Sequence, residues 1–121
     1  QGAALFRRTE GMWLAGDQLF FTATVGGPLQ RGQILRLTIG THDKLEVIAE
    51  AADPDALDMP DNLCVSPSGV LYVAEDGLGG NFVRRVRLDG SACCGERTQR
   101  GREKDAPRAR LLGAHRRRRI G

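Results

Sequence analysis

The stretch Leu57–Gly77, LDMPDNLCVSPSGVLYVAEDG, contains two short apolar runs, 63–65 and 70–74, separated by the sequence Ser-Pro-Ser-Gly. Such a cluster between β-forming runs is typical of a tight turn joining two antiparallel strands. A hairpin brings its outer ends together, so Asp61 and Glu75 are predicted to lie on one rim. Converging carboxylates repel each other unless a positive charge lies between them. The stretch therefore predicts a site for a hard cation such as calcium, which prefers oxygen ligands.

Upstream of this hairpin, alternating apolar residues predict an antiparallel β-meander. Strands are indicated at 12–15, 19–24, 33–39 and 44–50, joined by turns that contain Gly and Asp. No amphipathic helix is expected in residues 1–90. The sequence therefore predicts an all-β chain.

The chain also resembles itself at an offset of 51 residues. Phe20 falls on Leu71, and the run Leu35-Arg36-Leu37 falls on Val86-Arg87-Leu88 without a gap. A period of about 40–50 residues with four strands in each unit is typical of a β-propeller blade. The repeat therefore predicts about two propeller blades, each a four-stranded antiparallel meander.

These blades are expected at 9–50 and, incomplete, at 58–90, within a partial propeller that covers residues 1–90. The fourth strand of the second unit is expected near 95–100, where the sequence has no apolar residue. Since the chain begins at Gln1 without a methionine, it is expected to be part of a larger domain.

The Arg-rich segment 91–121 differs in composition from the rest of the chain. Residues 1–90 contain 8 Lys/Arg and 12 Asp/Glu, whereas 91–121 contain 10 Lys/Arg and 3 Asp/Glu. The segment has few β-forming residues, so it is predicted to be a disordered basic tail. We interpret it as a continuation in a shifted reading frame; binding of nucleic acid by 115–119 is the less favoured alternative. No apolar run is long enough to span a membrane.

Several catalytic classes lack their residues in this sequence. There is no Gly-x-Ser-x-Gly motif, no Ser/His/Asp constellation and no phosphate-binding Gly-rich loop with Lys. Cys64 lies in an apolar run and is interpreted as a small core residue. The adjacent pair Cys93-Cys94 lacks the spacing of a zinc site. Trp13 is predicted to pack in the core or between blades, and Arg84, Arg85 and Arg87 are expected on a solvent face.

Carboxylates recur at equivalent points of the two repeats. Glu10 precedes the first strand of its unit as Asp61 precedes the first strand of the next, and such points face the central channel of a propeller. Asn62 adds an amide oxygen and Glu75 a further carboxylate, so we predict a metal site formed by these four residues. The alternative is that they cap turns and face water, which we prefer for Asp43, Asp53, Asp55 and Asp89.

Several motifs make residues 5–90 resemble the PhoX-type alkaline phosphatase family (DUF839). They are Glu10-Gly11-Met12-Trp13, Phe20-Phe21-Thr22, the run from Gly26-Gly27 to Gly32-Gln33-Ile34, Leu57–Leu63 and Glu75-Asp76-Gly77. The resemblance implies a secreted or periplasmic β-propeller that hydrolyses phosphomonoesters with calcium and iron in its channel. It also implies that Glu10 and Glu75 are metal ligands, with Asp61 and Asn62 on the same rim.

The chain departs from this family at two points. Val73 stands two residues before Glu75, where a phosphate-clamping arginine is expected, and the cysteine ligand of the family's N-terminal portion has no counterpart. The chain alone is therefore expected to be inactive. Two other functions stay open, a calcium-dependent lactonase of the gluconolactonase kind and a non-catalytic propeller that binds a partner. The sequence predicts neither the substrate nor the oligomeric state.

Overall fold

Two antiparallel sheets make up the described part of the chain. The computed structural model describes residues 2–53 and 55–88, together with the backbone of Thr98–Gln99. In chain order, the first sheet contains β1 (Thr9–Ala15), β2 (Gln18–Ala23), β3 (Gln33–Thr38) and β4 (Lys44–Glu50). The second contains β5 (Pro60–Val65), β6 (Leu71–Glu75), β7 (Phe82–Val86) and β8 (Thr98–Gln99). The prediction of antiparallel β-meanders is confirmed for these residues.

The hairpin that joins β5 to β6 forms at the predicted turn. Ser66 donates its backbone N–H to Val70 O at 2.8 Å, and Gly69 donates its N–H to Ser66 O at 2.9 Å. Gly69 has a φ of 78°, a left-handed conformation that glycine adopts without steric cost. The turn chemistry of Ser-Pro-Ser-Gly therefore positions the two strands.

The predicted tail at 91–121 lies outside the described residues, apart from the two residues of β8. The backbone of Thr98–Gln99 pairs with Val83 and Phe82 of β7, inside the interval expected for a fourth strand. In the described part of the chain, no helix has the length and apolar character needed to cross a membrane.

The offset of 51 residues does not hold for the strands that flank β2 and β6, so the prediction of a repeat without gaps is wrong there. Phe20 and Leu71 are counterparts at an offset of 51 residues, but Phe20 pairs with Arg36 whereas Leu71 pairs with Val86. The offset between β3 and β7 is therefore one residue shorter, because Val86 follows its partner Leu71 by 15 residues whereas Arg36 follows Phe20 by 16. Between β1 and β5 the offset is one residue longer, because Val65 precedes its partner Leu71 by six residues whereas Trp13 precedes Phe20 by seven.

This change of register places Arg84 in the core. Ile34 pairs with Thr22, and Arg84 pairs with Val73 at the corresponding place in the second sheet. Ile34 is 0% exposed and Arg84 is 2% exposed. The prediction that Arg84 lies on a solvent face is wrong, since a shift of one residue moves a side chain to the other face of a strand. Its neighbour Arg85 is exposed.

A single hydrophobic core joins the two sheets. Phe20 of β2 and its counterpart Leu71 of β6 belong to the same cluster, so the sheets bury equivalent faces. Consecutive blades of a propeller are related by one repeated rotation and therefore bury opposite faces against each other. The propeller arrangement is not confirmed by this packing. The core also contains Ile34, Ala49, Ala51, Leu57, Leu63, Val73 and Val86.

Cys64 lies on the other face of the second sheet. It pairs with Tyr72, and both residues are exposed. The strand alternation turns Leu63 and Val65 toward the core and Cys64 away from it. The interpretation of Cys64 as a core residue is therefore wrong.

The corresponding outer face of the first sheet is apolar and partly uncovered. Phe21 is buried there by an edge-to-face contact with Phe6, whose ring centre lies 5.4 Å away. Four apolar residues of β1 and β4 on this face are 46–61% exposed, namely Met12, Leu14, Leu45 and Val47. Trp13, on the inner face of β1, is 43% exposed.

Candidate cation site

The two sheets contact each other mainly where β1 and β2 meet β5. Strand pairing is interrupted by a bulge at the start of β1, between Thr9 and Met12, and at the start of β5, between Pro60 and Leu63. Bulges change the direction of side chains and commonly occur beside functional sites. Glu10 and Asp61 lie in these two bulges, at equivalent places in the two sheets.

Gly11 permits the close contact between the bulges. A side chain at this position would overlap the Asp61 carbonyl oxygen, and its Cβ would lie 2.7 Å from Asn62 Cα. Glycine is therefore required directly after Glu10, because only its bare backbone lets β1 lie this near β5. This contact gives a physical reason for the Glu-Gly pair in the sequence.

Thr22 joins the two bulges through its buried hydroxyl group. The hydroxyl accepts a hydrogen bond from Gly11 N–H at 3.0 Å and donates one to Asp61 O at 2.6 Å. Because Thr22 is 0% exposed, both backbone groups would lose their partner without it. Thr22 therefore fixes the backbone that carries the two carboxylates.

Thr24 makes a second connection on the same buried face. Its hydroxyl donates to Pro60 O at 2.8 Å, and its backbone N–H donates to Arg8 O at 2.9 Å. Sequence reasoning missed Thr22 and Thr24 as positioning residues. The available signal was their alternation with the apolar residues of β2, which places two hydroxyl groups on a face that is otherwise core.

The carboxyl groups of Glu10 and Asp61 come together at this contact. A hydrogen bond with Glu10, partial burial and the repulsion between the two charges raise the pKa of Asp61 above its ordinary value. The positive charge of Arg8 acts in the opposite direction. Either a shared proton or a bound cation would relieve the repulsion between the two carboxyl groups and would therefore stabilise them.

Arg8 occupies the neighbourhood of this carboxylate pair. Its Nε lies 2.6 Å from Glu10 Oε1, and its side chain is 49% exposed. The backbone of Arg8 has a φ of 55°, in the left-handed region that non-glycine residues rarely adopt. Because of its contact with Glu10, the Arg8 guanidinium group is the cation that the chain itself supplies to the carboxylate pair.

Glu75 lies beside the same strand end but points into the core. Pro60 pairs with Glu75, so the two ends of the hairpin do meet as predicted. Glu75 Oε1 accepts a hydrogen bond from Asp58 N–H at 2.8 Å and another from Arg84 Nε. The charged side chains of Glu75 and Arg84 are both buried. Glu75 is therefore paired with Arg84 inside the core. Asp61 is paired with Glu10 instead.

Asn62 is exposed beside Asp61. The roles of Asn62 and Glu75 as metal ligands stay predictions.

The buried pair of Glu75 and Arg84 also anchors the segment that connects the sheets. Arg84 Nη1 donates to Asp55 O at 2.6 Å, and Arg31 Nη1 lies 2.7 Å from Asp58 Oδ1. Glu75 Oε2 and Arg84 Nη2 are buried without a hydrogen-bond partner among the described residues. This cluster was missed because Arg84 was assigned to a solvent face together with Arg85 and Arg87.

Two of the acidic residues assigned to turns do cap them. Asp43 Oδ1 accepts from Gly40 N–H at 3.0 Å, and Asp53 Oδ1 accepts from Ala56 N–H at 2.7 Å. The prediction that Asp43 and Asp53 cap turns is therefore confirmed. Asp89 lies outside the described residues.

The carboxylate pair fits part of a cation site. Within residues 2–53 and 55–88, no group of three or more His, Cys, Asp or Glu side chains is arranged to hold a metal ion. Calcium takes about six to eight oxygen ligands, and water or carbonyl groups commonly supply several of them. Glu10 and Asp61 therefore suit a hard divalent cation as its two charged ligands.

Comparisons of the chain with known protein families, with curated proteins and with solved structures found no match.

Proposed function

We propose that Glu10 and Asp61 bind a divalent cation, calcium, where the two sheets meet, in a chain that is part of a PhoX-type phosphatase. The observation that carries the proposal is the convergence of the two carboxyl groups, which raises the pKa of Asp61. Their separation in the sequence makes this convergence a property of the fold.

The scaffold around the pair supports binding. Thr22 holds the β1 and β5 bulges together, and Gly11 lets them touch. A site whose backbone is fixed in advance needs little ordering when the ion binds. Binding would replace carboxylate repulsion by attraction to a doubly charged ion, so Glu10 and Asp61 gain electrostatically in the bound state.

The phosphatase part of the proposal rests on the motifs of the sequence. When bound, calcium attracts phosphate oxygens and neutralises charge that develops in the transition state. In this chain Glu10 and Asp61 hold and orient the cation, and Val73 leaves the expected phosphate-clamping position without a charge. Hydrolysis therefore needs groups from other parts of a larger protein, which also have to supply the ligands of an iron ion.

The β-propeller and its secreted or periplasmic location belong to the same proposal. A larger β-structure is supported by the apolar outer face of the first sheet, where Met12, Leu14, Leu45 and Val47 are uncovered. Apolar faces of this kind commonly lie against another layer.

A calcium-dependent lactonase is the second candidate. It is favoured by the oxygen-only character of the pair, because Glu10 and Asp61 are hard ligands and Cys64 is exposed on the outer face of the second sheet. Assays of a longer protein that contains this chain separate the two candidates. Iron content together with aryl-phosphate cleavage supports the phosphatase, whereas lactone opening with calcium alone supports the lactonase.

Calorimetric titration of the 121-residue chain with calcium chloride tests the binding step. We expect a dissociation constant of about 0.1–1 mM, as in open extracellular calcium sites, and its loss in Asp61→Asn. Asp17→Asn is the matched control, since Asp17 is an exposed carboxylate in the turn after β1. Equal affinities of all three proteins, or no binding by any of them, would contradict the proposal.

A further inference from the structure

The geometry points to Arg8 as the residue that makes the site selective for divalent over monovalent cations. This inference rests on the proposed calcium site and adds a residue that is not one of its ligands. Arg8 Nε lies 2.6 Å from Glu10 Oε1, so the guanidinium already occupies one of the two carboxylates. An incoming cation has to displace it in order to use that oxygen.

Displacement is possible because only the backbone of Arg8 is fixed. Arg8 O accepts a hydrogen bond from Thr24 N–H at 2.9 Å, while half of the side chain is exposed. The guanidinium can therefore move into solvent without disturbing the connection between the bulges. An exposed ion pair of this kind is weak, so its loss is a small cost for a strongly bound ion.

Charge decides which ions can displace Arg8. A monovalent ion replaces one positive charge by another and gains no net attraction to Glu10 and Asp61. A divalent ion brings one additional charge and does gain attraction. Arg8 is thus an internal competitor that weakens the binding of sodium and potassium but yields to calcium.

The test compares calcium affinity in the wild-type chain, in Arg8→Gln and in Arg7→Gln. Arg7 is the adjacent exposed arginine, and its replacement removes the same charge without removing the contact with Glu10. We expect calcium to bind about two- to five-fold more tightly to Arg8→Gln than to Arg7→Gln, the range that an exposed ion pair supplies. Equal affinities of the two variants, or weaker binding by Arg8→Gln, would overturn the inference.

A second measurement tests selectivity at constant ionic strength. Replacing tetramethylammonium chloride by sodium chloride should weaken calcium binding less in the wild type than in Arg8→Gln, because Arg8 competes with sodium for Glu10. Sodium competition that is equal in the two proteins contradicts the role of Arg8 even if calcium binds. If calcium binds to none of the proteins, the proposed site itself has failed and the inference fails with it.

Discussion

The buried ion pair between Glu75 and Arg84 gives the sharpest test of the fold. The side chain of Arg84 is 3% exposed and that of Glu75 is 1% exposed. Replacing Arg84 with methionine keeps much of its volume but leaves the Glu75 charge buried without its cation. Breaking one partner of such a pair costs about 3–5 kcal/mol. Small domains are stable by about 5–15 kcal/mol, so Arg84→Met should lose a large part of the free energy of unfolding.

The double variant with Glu75→Gln identifies the cause of this loss. Glutamine is uncharged and retains a side-chain oxygen that can accept the hydrogen bond from Asp58 N–H. Removing the buried charge should therefore recover at least about 2 kcal/mol relative to Arg84→Met alone. If the double variant is more stable than Arg84→Met, the two buried charges are energetically coupled.

Urea unfolding of the 121-residue chain, followed by the fluorescence of Trp13, measures these differences. Arg85→Met is the matched control, since Arg85 is the neighbouring exposed residue of β7, and it should change stability by less than about 0.5 kcal/mol. The placement of Arg84 in the core is refuted if Arg84→Met and Arg85→Met are equally stable. It is also refuted if the double variant is less stable than Arg84→Met.

Three further predictions concern individual residues. Thr22→Val removes the hydroxyl that joins the two bulges and should cost about 1–3 kcal/mol in urea unfolding, because buried backbone groups lose their partner; a cost below about 0.5 kcal/mol would count against this role. Because the pKa of Asp61 is raised in the folded state, its contribution to stability is present at low pH and is lost as pH rises through that pKa. Asp61→Asn should therefore raise the melting temperature at neutral pH in calcium-free buffer and remove this pH dependence, and an unchanged profile would argue otherwise. Cys64, in a variant without Cys93 and Cys94, should react with a thiol reagent in the folded chain at nearly the rate of the unfolded chain; strong protection would favour the packing of consecutive propeller blades.

Local sequence patterns were sufficient to predict most strands. Lys44–Glu50 has the predicted bounds, and the Ser-Pro-Ser-Gly turn joins β5 to β6. These features depend on alternation and turn chemistry, which act over a few residues. The convergence of Glu10 with Asp61 was predicted from equivalent points of adjacent propeller blades, whereas in the structure it results from the close contact of the two bulges. The role of these two residues as metal ligands stays a prediction.

The environment of each side chain was harder to predict because it depends on register. The spacing between paired residues of β6 and β7 is one residue shorter than that between β2 and β3, which places Arg84 opposite Val73 and therefore in the core. The adjacent residues Arg84 and Arg85 have to face opposite sides of the strand, but no local signal decides which of the two is buried. The direction of Glu75 depends in turn on the presence of Arg84. Buried partners of opposite charge were thus the part of the candidate site that sequence reasoning could not place.

The position of calcium in crystals of the chain shows directly whether Glu10 and Asp61 hold the ion. We expect anomalous density for one ion at about 2.3–2.6 Å from carboxylate oxygens of both Glu10 and Asp61, the usual calcium–oxygen distance. Arg8 should then have left Glu10. Crystals in which calcium lies elsewhere or is absent at saturating concentration, with Arg8 still paired to Glu10, would show that the two carboxylates are not a calcium site.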